Sequence, residues 1–218
     1  MQQRSIGICP EGYPFLILAA FATVVFAILE WWFMALVGLA ATAFVGHFFR
    51  DPERVPPEDV EAVVSPADGR IVKIARESDP LSGEEKQVIC VFMNLVDVHV
   101  NRMPVSGKID VIRYIPGAFF NASLDKASTD NERNILEVVG KGNQRFVIVQ
   151  IAGLIARRIV CWSEKGDKLK RGERFGMIRF GSRVDLYLPE GFEPSVVVGE
   201  QVFAGETAIA KRKASNSI

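Results

Sequence analysis

The stretch RVDLYLP at residues 183–189 alternates between apolar and polar side chains. Its aliphatic members, Val184, Leu186 and Leu188, face one way in an extended chain, and the residues between them face the other way. Because side chains alternate along a β-strand, the stretch predicts a strand that is buried on one face.

Similar short runs, rich in Val, Ile and Phe, lie on the amino-terminal side of this stretch. They fall at residues 71–74, 88–93, 109–115, 135–139, 146–151 and 159–162, with glycines between them. The run RFVIVQI at residues 145–151 is apolar on both faces, which predicts a central strand. The pattern indicates a mainly β (α+β) body, built as a β-sandwich or a flattened barrel.

Residues 14–49 form an almost wholly apolar segment whose only formal charge is Glu30. Splitting the segment there gives two runs, 15–29 and 31–46, each a little under the about 20 residues that span a bilayer. We predict a helical hairpin with Glu30, Trp31 and Trp32 at the far interface, where carboxylates and indoles meet water and headgroups. A hairpin that dips into one leaflet only is the open alternative.

The positive charges around this hairpin predict its orientation. No Lys or Arg occurs between Arg4 and Arg50, and both ends are therefore expected on the cytoplasmic side of the inner cell membrane. The proline-rich stretch RDPERVPP then reads as a linker. We predict a membrane-associated hairpin at residues 1–50 and a β-rich domain at residues 51–218 on the cytoplasmic face.

Composition excludes several classes of protein. Lys and Arg total 26, as do Asp and Glu, so no net positive charge is available to attract nucleic acid. Cys9, Cys90 and Cys161 are odd in number and far apart, without C-x-x-C spacing. This pattern predicts neither a disulfide framework nor a metal site.

Candidate catalytic groups are few. The chain has two histidines, His47 at the end of the apolar segment and His99 within NLVDVHVNRMP. It carries no G-x-S-x-G, H-E-x-x-H, phosphate-loop or dinucleotide pattern, so most common enzyme templates fail.

Three stretches are informative when they are taken in combination. They are SPADG at 65–69, DVHVNRMPVSGKI at 97–109 and RFGSRVDLYLP at 179–189. With FFRDPER after the hairpin and YIPGAFFNASLDKASTDNERN in mid-chain, they resemble the short-form phosphatidylserine decarboxylases over nearly the whole chain. That resemblance implies a proenzyme that cuts itself between Gly181 and Ser182 and converts Ser182 into a pyruvoyl group.

The resemblance also implies a reaction and its partners. The pyruvoyl group forms a Schiff base with phosphatidylserine in the membrane, and loss of CO2 gives phosphatidylethanolamine without metal or pyridoxal phosphate. Fragments 1–181 and 182–218 are expected to stay together as a heterodimer.

Two further residues match family positions. Asp68 of SPADG corresponds to an aspartate used in self-processing, and His99 to a histidine beside the pyruvoyl group. Long-form members carry a second histidine where this chain has Arg102, and arginine is no general base at ordinary pH. Either His99 takes both roles or Asp68 acts with little help, and we favour the first.

Candidate substrate contacts are cations for the lipid phosphate and polar residues for the pocket. They are Arg102, Lys108, Lys126, Arg133, Asn121, Asn131 and Glu132.

A second interpretation starts from SLDKAS, which resembles the lysine-bearing hairpin of lipoyl domains. It would make the protein a membrane-tethered lipoyl- or biotinyl-like carrier or adaptor modified at Lys126. A carrier stays intact and gains mass, whereas a decarboxylase splits in two.

Overall fold

The structure is a computed structural model that describes residues 7–120, 130–153, 158–179 and 182–213. Its internal contacts divide the chain into two compact units, Met1–Glu53 and Arg54–Ile218.

The first unit is a pair of apolar helices. After a 3-10 turn at Pro10–Gly12, helix α1 spans Tyr13–Ile28 and helix α2 spans Trp32–Phe48. Glu30 lies in the turn between them with a positive φ of 61°. The predicted helical hairpin is therefore confirmed.

The two helices pack closely where small side chains meet. Thr23 and Thr42 share a hydrogen bond of 3.3 Å between their hydroxyl oxygens, and a Cβ on Gly38 would lie 2.6 Å from the Thr23 hydroxyl. Among the described helices, Pro10–Ile28 is long and apolar enough to cross a membrane, and Trp32–Phe48 is apolar but shorter. This length and composition are weak evidence of membrane association.

The second unit is built from fourteen described strands. They are β1 (Val63–Val64), β2 (Gly69–Ser78), β3 (Glu85–Met93), β4 (Val100–Arg102), β5 (Gly107–Ile115), β6 (Arg133–Gly140), β7 (Arg145–Ala152), β8 (Ile159–Cys161), β9 (Lys168–Leu169), β10 (Arg174–Ile178), β11 (Ser182–Leu188), β12 (Phe192–Pro194), β13 (Gln201–Val202) and β14 (Ala208–Arg212). A short 3-10 turn, Lys141–Asn143, joins β6 to β7.

These strands form one large curled sheet and two small sheets. The large sheet has the order β13-β2-β3-β11-β7-β6-β5-β9, and the small ones β1-β14-β12 and β4-β10-β8. The mainly β fold is confirmed, and each predicted strand lies at or within one residue of an observed strand.

The two faces of the large sheet bury different apolar clusters. Alternate residues of β11, such as Val184 and Leu186, join the main core, and Tyr187 joins a second, smaller cluster on the opposite face. Strand β7 alternates in the same way, with Ile148 in the main core and Val149 in the second cluster. RFVIVQI is thus the central strand that its composition predicts.

Strand β11 corrects one expectation, because all seven of its residues are buried. The polar face, predicted to meet solvent, holds an ion pair: Arg183 Nε and an Nη atom each donate to one Asp185 carboxylate oxygen at 2.7 Å. Two opposite charges two residues apart in a strand share a face and neutralise each other, so the face can be buried. Burial also raises the pKa of the adjacent Cys90 thiol, and the Asp185 charge raises it further.

We predict that Asp185→Ala lowers the free energy of unfolding by about 3–5 kcal/mol, because it leaves the buried Arg183 charge without its partner. The measurement is denaturant unfolding of full-length protein in detergent, in a Ser182→Ala background so that a single chain unfolds. Lys211→Ala, which breaks the exposed ion pair with Glu193, is the control and should cost less than about 1 kcal/mol. Equal losses in both variants would contradict the prediction.

Candidate active site

Ser182 begins β11 and lies at one end of the large sheet. It pairs with Met93, the last residue of β3, and with Ala152, the last residue of β7. The side chain is fully buried on the main-core face, and its hydroxyl donates to the Met93 sulfur at 3.8 Å. The neighbouring Gly181, the other half of the predicted cleavage bond, lies outside the described residues.

The position of Ser182 is determined by pairing on both sides. Strand β11 keeps an unbroken antiparallel register with β3 over seven residues and with β7 over six. Because a one-residue slip would exchange the two faces of the strand, this register directs the Ser182 side chain into the core.

His99 lies beside the chain that leads into Ser182. It is fully buried, and its carbonyl oxygen accepts from the amide of Ile178, the last residue of β10, at 3.3 Å. Its ring Nδ1 is 3.0 Å from the carbonyl oxygen of Asp97. Since a carbonyl only accepts, Nδ1 carries a proton, and in the neutral form of the ring Nε2 is the basic nitrogen.

Asp68 lies at the same end of the sheet, two strands from Ser182. One carboxylate oxygen accepts from the Ala204 amide at 2.7 Å, and the other accepts from Arg54 at 2.9 Å. The next residue, Gly69, has a φ of 146°, and a Cβ there would lie 2.1 Å from the Phe92 carbonyl oxygen. Only glycine allows β2 to approach β3 so closely at the residue that follows Asp68.

Arg54, which sequence analysis did not single out, holds this corner together. Its guanidinium bridges the carboxylates of Asp68 and Glu206 and lies 5.5 Å from the centre of the Phe203 ring. The signal was present in FFRDPER, but only the fold shows that this arginine reaches SPADG.

Asn131 anchors the opposite side of Ser182. Its side-chain amide donates to the carbonyl oxygens of Ala152 at 2.7 Å and Phe120 at 2.8 Å, and its side-chain oxygen accepts from the Phe120 amide at 2.9 Å. Ala152 is the direct strand partner of Ser182, so Asn131 ties the segment before β6 to this position.

The two described arginines among the predicted substrate contacts occupy different surroundings. Arg102 is buried, and its guanidinium donates to the Gly172 carbonyl oxygen at 3.0 Å, which suits a structural role. Arg133 is half-buried at the start of β6 and donates to the Asn131 carbonyl oxygen at 3.3 Å. Their contacts with substrate stay predictions, and Asn121 and Lys126 lie outside the described residues.

A set of buried amides near Ser182 was not evident from the sequence. Asn101, Gln150 and Asn134 are linked side chain to side chain across three strands. Gln150 was visible as a lone polar residue in RFVIVQI, but the sequence does not reveal its partners. Among the residues that the structure describes, no cluster of three His, Cys, Asp or Glu side chains is arranged to hold a metal ion.

Comparison with known proteins supplies the family. A family model described as phosphatidylserine decarboxylase matches residues 41–210. A phosphatidylserine decarboxylase proenzyme of Oleidesulfovibrio alaskensis is 59% identical, with 98% of each chain covered. The proenzymes of Solidesulfovibrio magneticus and Beijerinckia indica are 54% and 52% identical, covering 97% and 98% of this chain and 99% and 93% of theirs.

These matches span the hairpin, the SPADG and DVHVNRMP stretches and the Gly-Ser pair before RVDLYLP, and they confirm the resemblance on which the interpretation rests. The carrier interpretation loses its support. The chain belongs to the phosphatidylserine decarboxylase family.

Proposed function

We propose that this protein is a pyruvoyl-dependent phosphatidylserine decarboxylase that matures by cutting its own chain between Gly181 and Ser182. The observation that carries the proposal is the buried Ser182 hydroxyl at the end of the large sheet, in a chain of this family. The two residues to which we assign further roles are His99, which immediately precedes β4, and Asp68, which immediately precedes β2. Decarboxylation of phosphatidylserine then gives phosphatidylethanolamine.

Cleavage requires the Ser182 oxygen to attack the preceding carbonyl carbon. A C–O bond forms, the C–N bond breaks, and the hydroxyl proton passes through a base to the departing amine. Residue 182 then loses its α-proton, and its bond to the ester oxygen breaks, which releases residue 181 as a carboxylate and leaves dehydroalanine at position 182. Water hydrolyses this dehydroalanine, which releases ammonia and leaves the ketone of the pyruvoyl group. When formed, the pyruvoyl group supplies an electrophilic carbonyl that takes the substrate amine and withdraws electrons as CO2 departs.

The surroundings of Ser182 fit this chemistry. The site is buried, so a proton transferred there moves between protein groups instead of bulk water. His99 has its basic Nε2 set by the Nδ1 contact with Asp97, which suits it to take the hydroxyl proton and later to protonate the product carbon. Asp68, held between Arg54 and the Ala204 amide, supplies a fixed carboxylate at the same corner.

The two fragments are expected to remain one particle. Residues 182–218 contribute β11 to the middle of the large sheet, and they contribute β14, which pairs with β1 of the other fragment. Leaving would break the ladders with β3 and β7 and would expose the buried strand on both faces. This interleaving supports the heterodimer.

We further propose that the apolar helices α1 and α2 hold the enzyme on the inner membrane, with its catalytic unit on the cytoplasmic face. The support is the exposed apolar surface of both helices and the return of positive charge at Arg50 and Arg54. A tethered enzyme meets a membrane lipid at a raised local concentration.

Of the predictions that follow from the proposed function, the first concerns Ser182. Wild-type protein should give two chains meeting at residues 181 and 182 by denaturing mass spectrometry, the smaller one blocked at its amino terminus. Ser182→Ala should remain intact and inactive, because the attacking hydroxyl is missing. Ser195→Ala, in the same fragment, is the control and should cleave normally. An intact wild-type chain with full activity would refute the proposal.

The second prediction concerns His99. His99→Ala should lower the rate of decarboxylation per cleaved chain about 10²–10⁴-fold, the usual contribution of a positioned acid or base. Because we assign His99 both roles, self-cleavage should slow as well. His47→Ala is the control, because it removes the other histidine of the sequence, which lies in α2. It should leave both rates unchanged. Normal rates in His99→Ala would remove this residue from the mechanism.

The third prediction separates two carboxylates that share Arg54. Asp68→Asn should slow self-cleavage at least about tenfold, since it removes the charge that we place in the processing site. Glu206→Gln should cleave normally, because Arg54 keeps its contact with Asp68. The measurement is the ratio of intact to cut chain after pulse labelling, and equal rates in both variants would count against Asp68.

A further inference from the structure

Three buried side-chain amides form a chain through the main core. Asn134 on β6 donates to the Gln150 side-chain oxygen on β7 at 2.9 Å, and Gln150 donates to the Asn101 side-chain oxygen on β4 at 2.9 Å. All three are buried, and Gln150 lies on the main-core face of β7 between Ile148 and Ala152. Buried polar groups require hydrogen-bond partners, and here the three amides provide them for one another.

The hydrogen bonds between these three amides all run in one direction. That direction determines which end of the Asn101 amide faces the surroundings of Ser182. Because the Asn101 oxygen takes the Gln150 N–H, the Asn101 amino group must point the other way. It donates to the Met93 sulfur at 3.7 Å, the same atom that accepts from the Ser182 hydroxyl at 3.8 Å. The Asn101 N–H and the Ser182 hydroxyl therefore share one acceptor, the Met93 sulfur, and the Asn101 N–H is held in a fixed orientation.

A thioether sulfur is a weak acceptor, so the Asn101 N–H makes only a weak hydrogen bond to Met93. An oxygen that becomes negatively charged in the same dry space would be a better acceptor than the sulfur. A donor that is already oriented stabilises such charge without reorganising, and in a water-excluded site this interaction is strong.

We propose that Asn101 is a catalytic residue for self-cleavage, because its N–H stabilises the negative charge that develops as the Ser182 oxygen attacks. Gln150 and Asn134 keep that N–H turned towards Ser182. This role rests on the proposed function, since it assigns the amides to the cleavage reaction. The amide chain thus has a chemical use in addition to joining the small sheet to the large one.

The decisive variant is Gln150→Met, which keeps the approximate size of the side chain but removes the N–H that Gln150 donates to Asn101. The Asn101 amide can then turn its oxygen, in place of its amino group, towards Ser182. Self-cleavage should slow about tenfold although Asn101 itself is unchanged. Asn101→Leu, which removes the donor itself at similar volume, should slow cleavage about 100-fold or more, the usual effect of losing one such donor.

Ile148→Val is the matched control. It shortens a buried side chain on the same strand and the same face, and it should lower the thermal midpoint while leaving the cleavage rate within about twofold.

The rate of cutting is followed by pulse labelling and denaturing gels on the full chain, with thermal unfolding in parallel. Cleavage at the wild-type rate in Asn101→Leu and in the Gln150 variant would overturn the inference, as would equal slowing in Ile148→Val. A wild-type chain that never cuts would instead overturn the proposed function.

Discussion

The pairing of β11 between β3 and β7 is the constraint on which the rest of the structure depends. A strand bonded on both edges and buried on both faces cannot shift its register without exchanging core and polar side chains. Ser182 is the first residue of this strand, so a strand that is paired on both edges determines where the hydroxyl that we propose to react lies. The same pairing would retain the small fragment after its covalent link is cut.

Burial on both faces demands that polar groups beside Ser182 be compensated, and the chain does this differently on each side. On one face, Arg183 and Asp185 neutralise each other through two hydrogen bonds. On the other, Asn134, Gln150 and Asn101 pass hydrogen bonds along one direction. An ion pair tolerates burial because its charges cancel, whereas an amide chain also carries an orientation from one end to the other.

Arg102, which stands where the resemblance to long-form members implies a second histidine, makes contacts that join separate segments of the β-rich unit. The backbone amide of Arg102 donates to the Pro66 carbonyl oxygen at 2.9 Å, and its guanidinium donates to the Gly172 carbonyl oxygen. Its side chain also packs against Gly205, where a Cβ would lie 2.9 Å from it. The arginine therefore joins the SPADG segment to two turns of the β-rich unit. We propose that the buried His99 takes both the acid and the base role.

Local pattern was sufficient to determine the apolar hairpin and the mainly β body, because hydrophobic period and turn residues act over a few neighbouring positions. The family came from the resemblance of whole stretches such as SPADG and DVHVNRMP. The pairing of Arg183 with Asp185 was also within reach, since residues two apart in a strand share a face. What only the tertiary structure decided were the contacts between distant segments: Arg54 on Asp68, Asn131 on Ala152, and Asn101 on Gln150. A sequence records which side chains can donate or accept, but strand order and register decide which of them meet, and these are set by how the whole chain buries its apolar surface.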